Sequence, residues 1–126
     1  LTPEIPFAPL HLARLLLEST VLAELEERVR RRVRANREII NDYLNRTEFL
    51  SCYIPRNGIL FFPELKGTVD VRKFYPVLYE KHRMVVTEGR FFQMPRHFRM
   101  AGIWSPEVME DGLKRLEMAL ADCRIP

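Results

Sequence analysis

Phe49-Leu50-Ser51-Cys52-Tyr53-Ile54-Pro55-Arg56-Asn57-Gly58-Ile59-Leu60-Phe61-Phe62-Pro63 is where the chain changes character. Before it, apolar residues recur at helical steps. Within it, two runs rich in aromatic and β-branched side chains flank a Pro-x-Asn-Gly segment, which has strong turn chemistry. Two strands over 49–54 and 59–62, joined as a hairpin and stopped by Pro63, are the expectation. A chain that turns from helix to hairpin in its middle needs a layer of helices against a small sheet.

Upstream, Pro3, Pro6 and Pro9 make residues 1–9 an extended connector, because proline lacks a donor and restricts its predecessor. Residues 10–18 suit a short helix. Ser19 and Thr20 are N-cap types and open a long helix over 20–46. Leu22, Leu25, Val29, Val33, Ile40 and Leu44 form one apolar stripe along it.

Downstream, Asp70 caps a helix over 71–82, in which Pro76 predicts a kink or a late start. Met84–Thr87 is a short strand ended by Glu88-Gly89, residues 90–96 are loop, and 97–103 is a further strand. Ser105 as N-cap, Pro106 at the first turn and Glu107 near the positive helix end open the last helix. Val108, Met109, Leu113, Leu116 and Leu120 are its expected buried face. Glu110–Lys114 and Asp111–Arg115 pair along its outer face. The expected fold class is α+β: a two-layer small domain, a mostly antiparallel sheet with helices on one face, preceded by a long helix.

Composition narrows the function classes. The chain has 126 residues, 47% apolar and 29% charged, with net charge +3, which suits one soluble domain with a real core. No apolar run approaches the ~20 residues needed to span a bilayer, and Leu1–Pro6 has neither the basic nor the apolar region of a signal peptide. The absence of an initial Met suggests a cut-out piece or a processed chain. Cys52 and Cys123 read as buried thiols in a reducing compartment, hence a cytoplasmic location. No Cys/His cluster has zinc-ligand spacing, so no metal site is expected.

Residues 28–37 hold six arginines in ten, which raises nucleic acid as a partner. Glu24, Glu26, Glu27 and Glu38 flank the run and no aromatic residue interleaves with it, so no stacking platform exists. A solvated helix with i,i+4 ion pairs explains the run more cheaply.

From residue 58 onward the chain resembles fold-type I, pyridoxal-phosphate-dependent aminotransferases of class I/II. Gly58–Leu65 is similar to the family's glycine followed by an apolar strand. Val69-Asp70-Val71 and the helix after it are similar to the next segment. Met84–Phe92 resembles the V-V-x-P-G-x-x-F strand and glycine turn, with Thr87-Glu88 where the family usually has proline before the glycine. Phe98-Arg99-Met100 falls at the apolar-Arg-apolar strand, and Ser105-Pro106-Glu107 with Gly112–Leu116 resembles the closing helix. Residues 1–19 resemble a connector and short helix left from the large-domain side, and 20–126 the C-terminal small domain with its leading interdomain helix.

The resemblance implies a parent enzyme that moves an amino group between an amino acid and a 2-oxo acid. The ring of pyridoxal phosphate is its electron sink, and the parent is a homodimer. It implies that Arg99 holds the substrate carboxylate through a planar bidentate fork. Without the resemblance, Arg99 is a strand-end arginine in a surface ion pair. Lys66, Lys73, Lys81 and Lys114 are none of them in the Ser/Thr-rich loop that carries the family's cofactor lysine. The expectation is therefore no catalytic and no cofactor-binding residue here, and an inactive fragment missing its large domain. The same residues also fit an aminotransferase-like sensor domain of a winged-helix regulator, or a related lyase, synthase or decarboxylase on this fold. A site-free interaction module would instead use Phe91, Phe92, Met94, Met100 and Trp104 as an exposed patch; the alternatives for these five are core packing or a surface bared by the missing large domain.

Overall fold

The computed structural model describes residues 7–17 and 20–126. The chain divides into two compact units, residues 1–32 and 33–126. Residues 1–6 of the connector expected over 1–9, and the N-cap at Ser19, lie outside the described residues; 7–9 are helical.

Helix α1 spans Phe7–Leu17. It begins three residues before the expected start and takes in Pro9, which sits in the first turn where no N–H is required. Helix α2 spans Thr20–Arg46, as its stripe predicts. The stripe is buried only toward its C-terminal end: Ile40 and Leu44 are core, whereas Leu25 and Val29 are 42% and 58% exposed. No residue of α1 is buried.

In the second unit the strands are β1 (Leu50–Ser51), β2 (Leu60–Phe61), β3 (Glu64–Leu65), β4 (Thr87–Glu88) and β5 (Phe98–Ala101). All pairings are antiparallel. They form a two-stranded sheet, β1-β3, and a three-stranded sheet ordered β2-β5-β4. The expected hairpin does not form. β1 pairs with β3, Leu50 opposite Leu65, and β2 pairs with β5, Leu60 opposite Ala101. The reason lies in the turn segment. Arg37 on α2 donates to the carbonyls of Pro55, Gly58 (3.0 Å) and Arg56 (3.1 Å), while Pro55 has no N–H to offer a partner strand. Residues 52–58 are held on a helix, and the flanking strands find other neighbours.

Helix α3 spans Val71–Glu80 and runs through Pro76. Asp70 caps it as expected, its carboxylate accepting from the Arg72 N–H at 3.0 Å. The expected strand at 84–87 is reduced to Thr87–Glu88, and the expected loop opens with a 3₁₀ turn at Gly89–Phe92. Helix α4 spans Pro106–Asp122 with Ser105 as N-cap. Met109, Leu113, Leu116 and Leu120 are buried as expected, but Val108 is 55% exposed. Val108 stands one residue from Met109, about 100° around the helix, and that rotation takes it off the core stripe.

The core fills the space between α2, α3, α4 and the strands. Phe61, Phe74, Phe98, Leu116 and Leu120 are essentially inaccessible, each side chain contributing roughly 1.5–3 kcal/mol by burial. Cys123 is buried and Cys52 only half-buried; both thiols are free. The result is a small α+β domain of helices and antiparallel sheets.

Candidate functional site

Strand alternation places Arg99. On β5, Phe98 and Met100 point into the core while Arg99 stays exposed and Ala101 half-buried. Because β5 is the middle strand, Arg99 has a neighbour on β4: Thr87 lies directly opposite, its hydroxyl 3.5 Å from a guanidinium nitrogen. Phe92 presents its ring 5.4 Å from the Arg99 guanidinium carbon, a cation–π contact. Among the described residues no carboxylate pairs with Arg99, so the surface ion pair that sequence alone suggests is not what holds it.

The turn after β4 depends on Gly89. Its N–H donates to the His97 carbonyl at 2.8 Å and its carbonyl accepts from Met94 at 2.9 Å. A Cβ there would lie 2.1 Å from the Met94 oxygen and 2.3 Å from the His97 oxygen, which no side chain tolerates. Glu88, next to the Thr87 that replaces the usual proline pattern, pairs with Arg90 at 2.7 Å. Arg96 does not join the site. Its guanidinium donates to the carbonyls of Leu65 (2.6 Å) and Lys66 (2.5 Å). His97 stacks on Phe62 with ring centroids 5.0 Å apart.

A groove of about 370 Å³ opens beside Arg99, walled by Met84, Val86, Thr87, Trp104 and Met109 among others. One wall is fixed from α2. Asn36, fully buried, donates its amide to the carbonyls of Gly102 (3.0 Å) and Trp104 (2.7 Å). Of the aromatic and methionine residues expected as either patch or core, Phe91, Phe92, Met94 and Trp104 are exposed and Met100 is buried.

Sequence reasoning missed Thr87 and Asn36 as parts of this surface and offered Trp104 only as patch, core or bared surface. Asn36 had a readable signal: it falls between Val33 and Ile40 at helical steps, a polar residue on an apolar stripe.

Residues 6–116 match the family model of aminotransferase class I and II. The chain belongs to this aminotransferase family. Its fold is also that of solved aminotransferases. A pyridoxal-phosphate-dependent aminotransferase from Streptococcus suis superposes with TM-score 0.75 at 19% identity, over 83% of this chain and 28% of that one. Tyrosine aminotransferase from Leishmania infantum gives 0.73 at 18% identity, over 90% and 28%. An aspartate aminotransferase from Rhodobacter sphaeroides gives 0.68 at 24% identity, over 79% and 26%. The chain thus spans about a quarter of the length of the solved aminotransferases it matches. No curated protein matches it. As a fold-type I aminotransferase domain, it carries Arg99 on the middle strand of its larger sheet.

Two other polar clusters lie away from Arg99. Tyr43 and Thr47 both donate to one oxygen of Glu117, at 2.7 and 3.0 Å, and burial, then the Glu117 contact, push the Tyr43 phenol well above its ordinary range. His82, buried, meets the Asp122 carboxylate at 2.7 Å, and Lys81 meets the same oxygen at 2.8 Å. Among the described residues no group of His, Cys, Asp and Glu is placed to hold a metal, and no helix is long and apolar enough to cross a membrane.

Proposed function

We propose that this chain is the C-terminal small domain of a pyridoxal-phosphate-dependent aminotransferase, in which Arg99 holds the carboxylate of the amino acid or 2-oxo acid. The observation that carries the reading is the Arg99 guanidinium, mounted on a middle strand, steadied by Thr87 and Phe92 and turned to an open groove without an acidic partner among the described residues. A planar fork held on a rigid strand is what bidentate carboxylate recognition requires.

The cofactor, which supplies an electron sink when bound, does not fit the residues described here. A Schiff-base lysine must be free and enclosed. Lys73 and Lys81 are 71% and 63% exposed and engage Asp70 and Asp122, and Lys66 and Lys114 are exposed. The cofactor lysine and phosphate cradle therefore belong to a large domain outside these residues. The exposed apolar side chains of α1 and the first half of α2, such as Leu12, Leu17 and Val29, support a missing covering domain. In this reading the parent is a cytoplasmic homodimer and the fragment alone does not transaminate.

The test is Arg99→Gln in the full-length parent. A charged, two-pronged hydrogen bond is worth about 3 kcal/mol, so kcat/KM should fall about a hundredfold. Unchanged kcat/KM for all amino acids would remove Arg99 from the site. Turnover by the isolated chain with added cofactor would overturn the fragment reading.

A further inference from the structure

A second groove, of about 520 Å³, opens between α2 and α4. These helices cover the sheet face that holds Phe98 and Met100, and strand alternation puts Arg99 on the other face. The groove's apolar lining is Ile39, half-buried, and Leu113, buried. Its fixed group is Glu117. Tyr43 and Thr47, both more than nine-tenths buried, donate to one oxygen of that carboxylate at 2.7 and 3.0 Å. Burial, then the Glu117 contact, push the Tyr43 phenol well above its ordinary range, so it keeps the proton that it donates.

The two helices run in the same sense. Asn36 of α2 meets Gly102 and Trp104 ahead of α4, and Tyr43 and Thr47 meet Glu117 within it. Along the groove each helix carries an acid and, one turn later, a base: Asp42 then Arg46, and Glu110 then Lys114, about 6 Å apart along the axis. Asp111 and Arg115, at the same spacing on α4, pair with each other at 2.6 Å, whereas Glu110 and Lys114 line the groove. Three lining carboxylates against two cations leave one negative charge. Of the charges next to this lining, Glu48 pairs with Arg124 at 3.3 Å, and Glu38 has Arg34 one turn before it to offset it.

We propose that this groove binds a basic α-amino acid of lysine or ornithine size, its α-ammonium on Glu117, its carboxylate on Arg46 and Lys114, and its distal ammonium on Asp42 and Glu110. The zwitterionic head meets charges of both signs, through charge-assisted hydrogen bonds. The second ammonium, about one helical turn away, neutralises the charge left over in the groove. The methylene stem between them covers Ile39 and Leu113, as long basic side chains cover apolar surface elsewhere. Glu117 is held by Tyr43 and Thr47 before the ligand arrives, so little entropy is lost in ordering it. A dicarboxylic amino acid would instead bring a second anion to Asp42 and Glu110, and like charges repel. The inference uses no residue of the Arg99 groove and is independent of the role of Arg99.

The experiment uses the 126-residue chain, ¹⁵N-labelled, with the backbone amides of Thr47 and Glu117 followed by NMR. It is titrated with L-lysine, with L-norleucine, which lacks the distal ammonium, and with 1,5-diaminopentane, which lacks the carboxylate. The expected result is saturable shifts with L-lysine, and shifts with each of the other two only at about tenfold higher concentration, the loss of one charged contact. Glu117→Gln keeps an acceptor for both hydroxyls and should weaken L-lysine about tenfold. Lys114 is exposed, so Lys114→Met leaves the helix contacts in place; it should weaken L-lysine and leave 1,5-diaminopentane unchanged. Arg99→Gln should leave the L-lysine titration as it is. No saturable shift with L-lysine, equal titration by all three compounds, or L-lysine binding unaltered by Glu117→Gln and by Lys114→Met would overturn the proposal. So would loss of the L-lysine shifts in Arg99→Gln, which would place the ligand at the strand instead.

Discussion

The side-chain amide of Asn36, buried on α2, donates at 3.0 Å to the carbonyl of Gly102, 66 residues away in sequence. The same nitrogen reaches the Trp104 carbonyl at 2.7 Å. These two bonds tie the segment leaving β5 to the long helix. They hold in place the strand end that carries Arg99 and the backbone of Trp104.

Replacing Asn36 with leucine keeps much of the volume but strands both carbonyls. The cost expected is roughly 2–3 kcal/mol, the penalty for buried acceptors left without donors. A urea midpoint shift at unchanged slope measures it. A shift below about 0.5 kcal/mol, the range of ordinary surface substitutions, would mean that water replaces the amide.

Gly89→Ala should be worse tolerated than alanine at the exposed Gly67, where nothing lies within 4 Å of an added Cβ. At Gly89 the methyl would meet two backbone oxygens at 2.1 and 2.3 Å, and backbone does not swing aside as a side chain does. The turn must open, at a cost of about 1–3 kcal/mol. The matching readout is faster amide exchange at Met94 and His97, the turn's own donors. Equal stability of the two alanine variants would remove the close approach as the reason for glycine.

Two groups give stability a pH dependence at opposite ends. Hydrogen bonds from Lys81 and then His82 hold the Asp122 carboxyl below its ordinary value of 3.8. Its folded state prefers the ionised form, so this contribution is present above about pH 4 and fades as pH falls through the lowered value. Tyr43 is raised above 10.0, chiefly by burial. Its neutral form is favoured by folding, so that contribution is complete below about pH 10 and declines as the solution becomes more alkaline. Asp122→Asn should flatten the acid limb of a stability profile and Tyr43→Phe the alkaline limb. Unaltered limbs in the two variants would assign the pH dependence to other groups.

Phe7 and Leu17 in the first unit and Phe91 in the second, 80%, 71% and 69% exposed, are large apolar side chains open to solvent. The chain on its own should bind a hydrophobic dye and self-associate at micromolar concentration. A monomer in sedimentation velocity with no dye fluorescence would argue that these side chains need no cover.

Local chemistry made several elements legible. The Ser105-Pro106-Glu107 start of α4, the Asp70 cap of α3 and the long α2 follow from capping groups and helical periodicity, which act over a few residues. They form wherever the rest of the chain lies. The apolar-Arg-apolar rhythm of residues 98–100 likewise determined that Arg99 would face away from the core, because a strand's side chains alternate.

Tertiary structure alone decided the strand partners. Residues 49–62 look like a hairpin because the turn chemistry is local, but Arg37 takes the carbonyls of Pro55, Arg56 and Gly58 from a helix that is distant in sequence. β1 then pairs with β3, and β2 with β5. The setting of Arg99 was decided in the same way: Thr87 and Phe92 reach it through the β4 pairing and the turn that Gly89 permits, and Trp104 is anchored by Asn36. Each of these contacts joins residues whose separation in sequence carries no periodic signal. They exist because a packed core brings distant backbone together and leaves its buried polar groups to find one another.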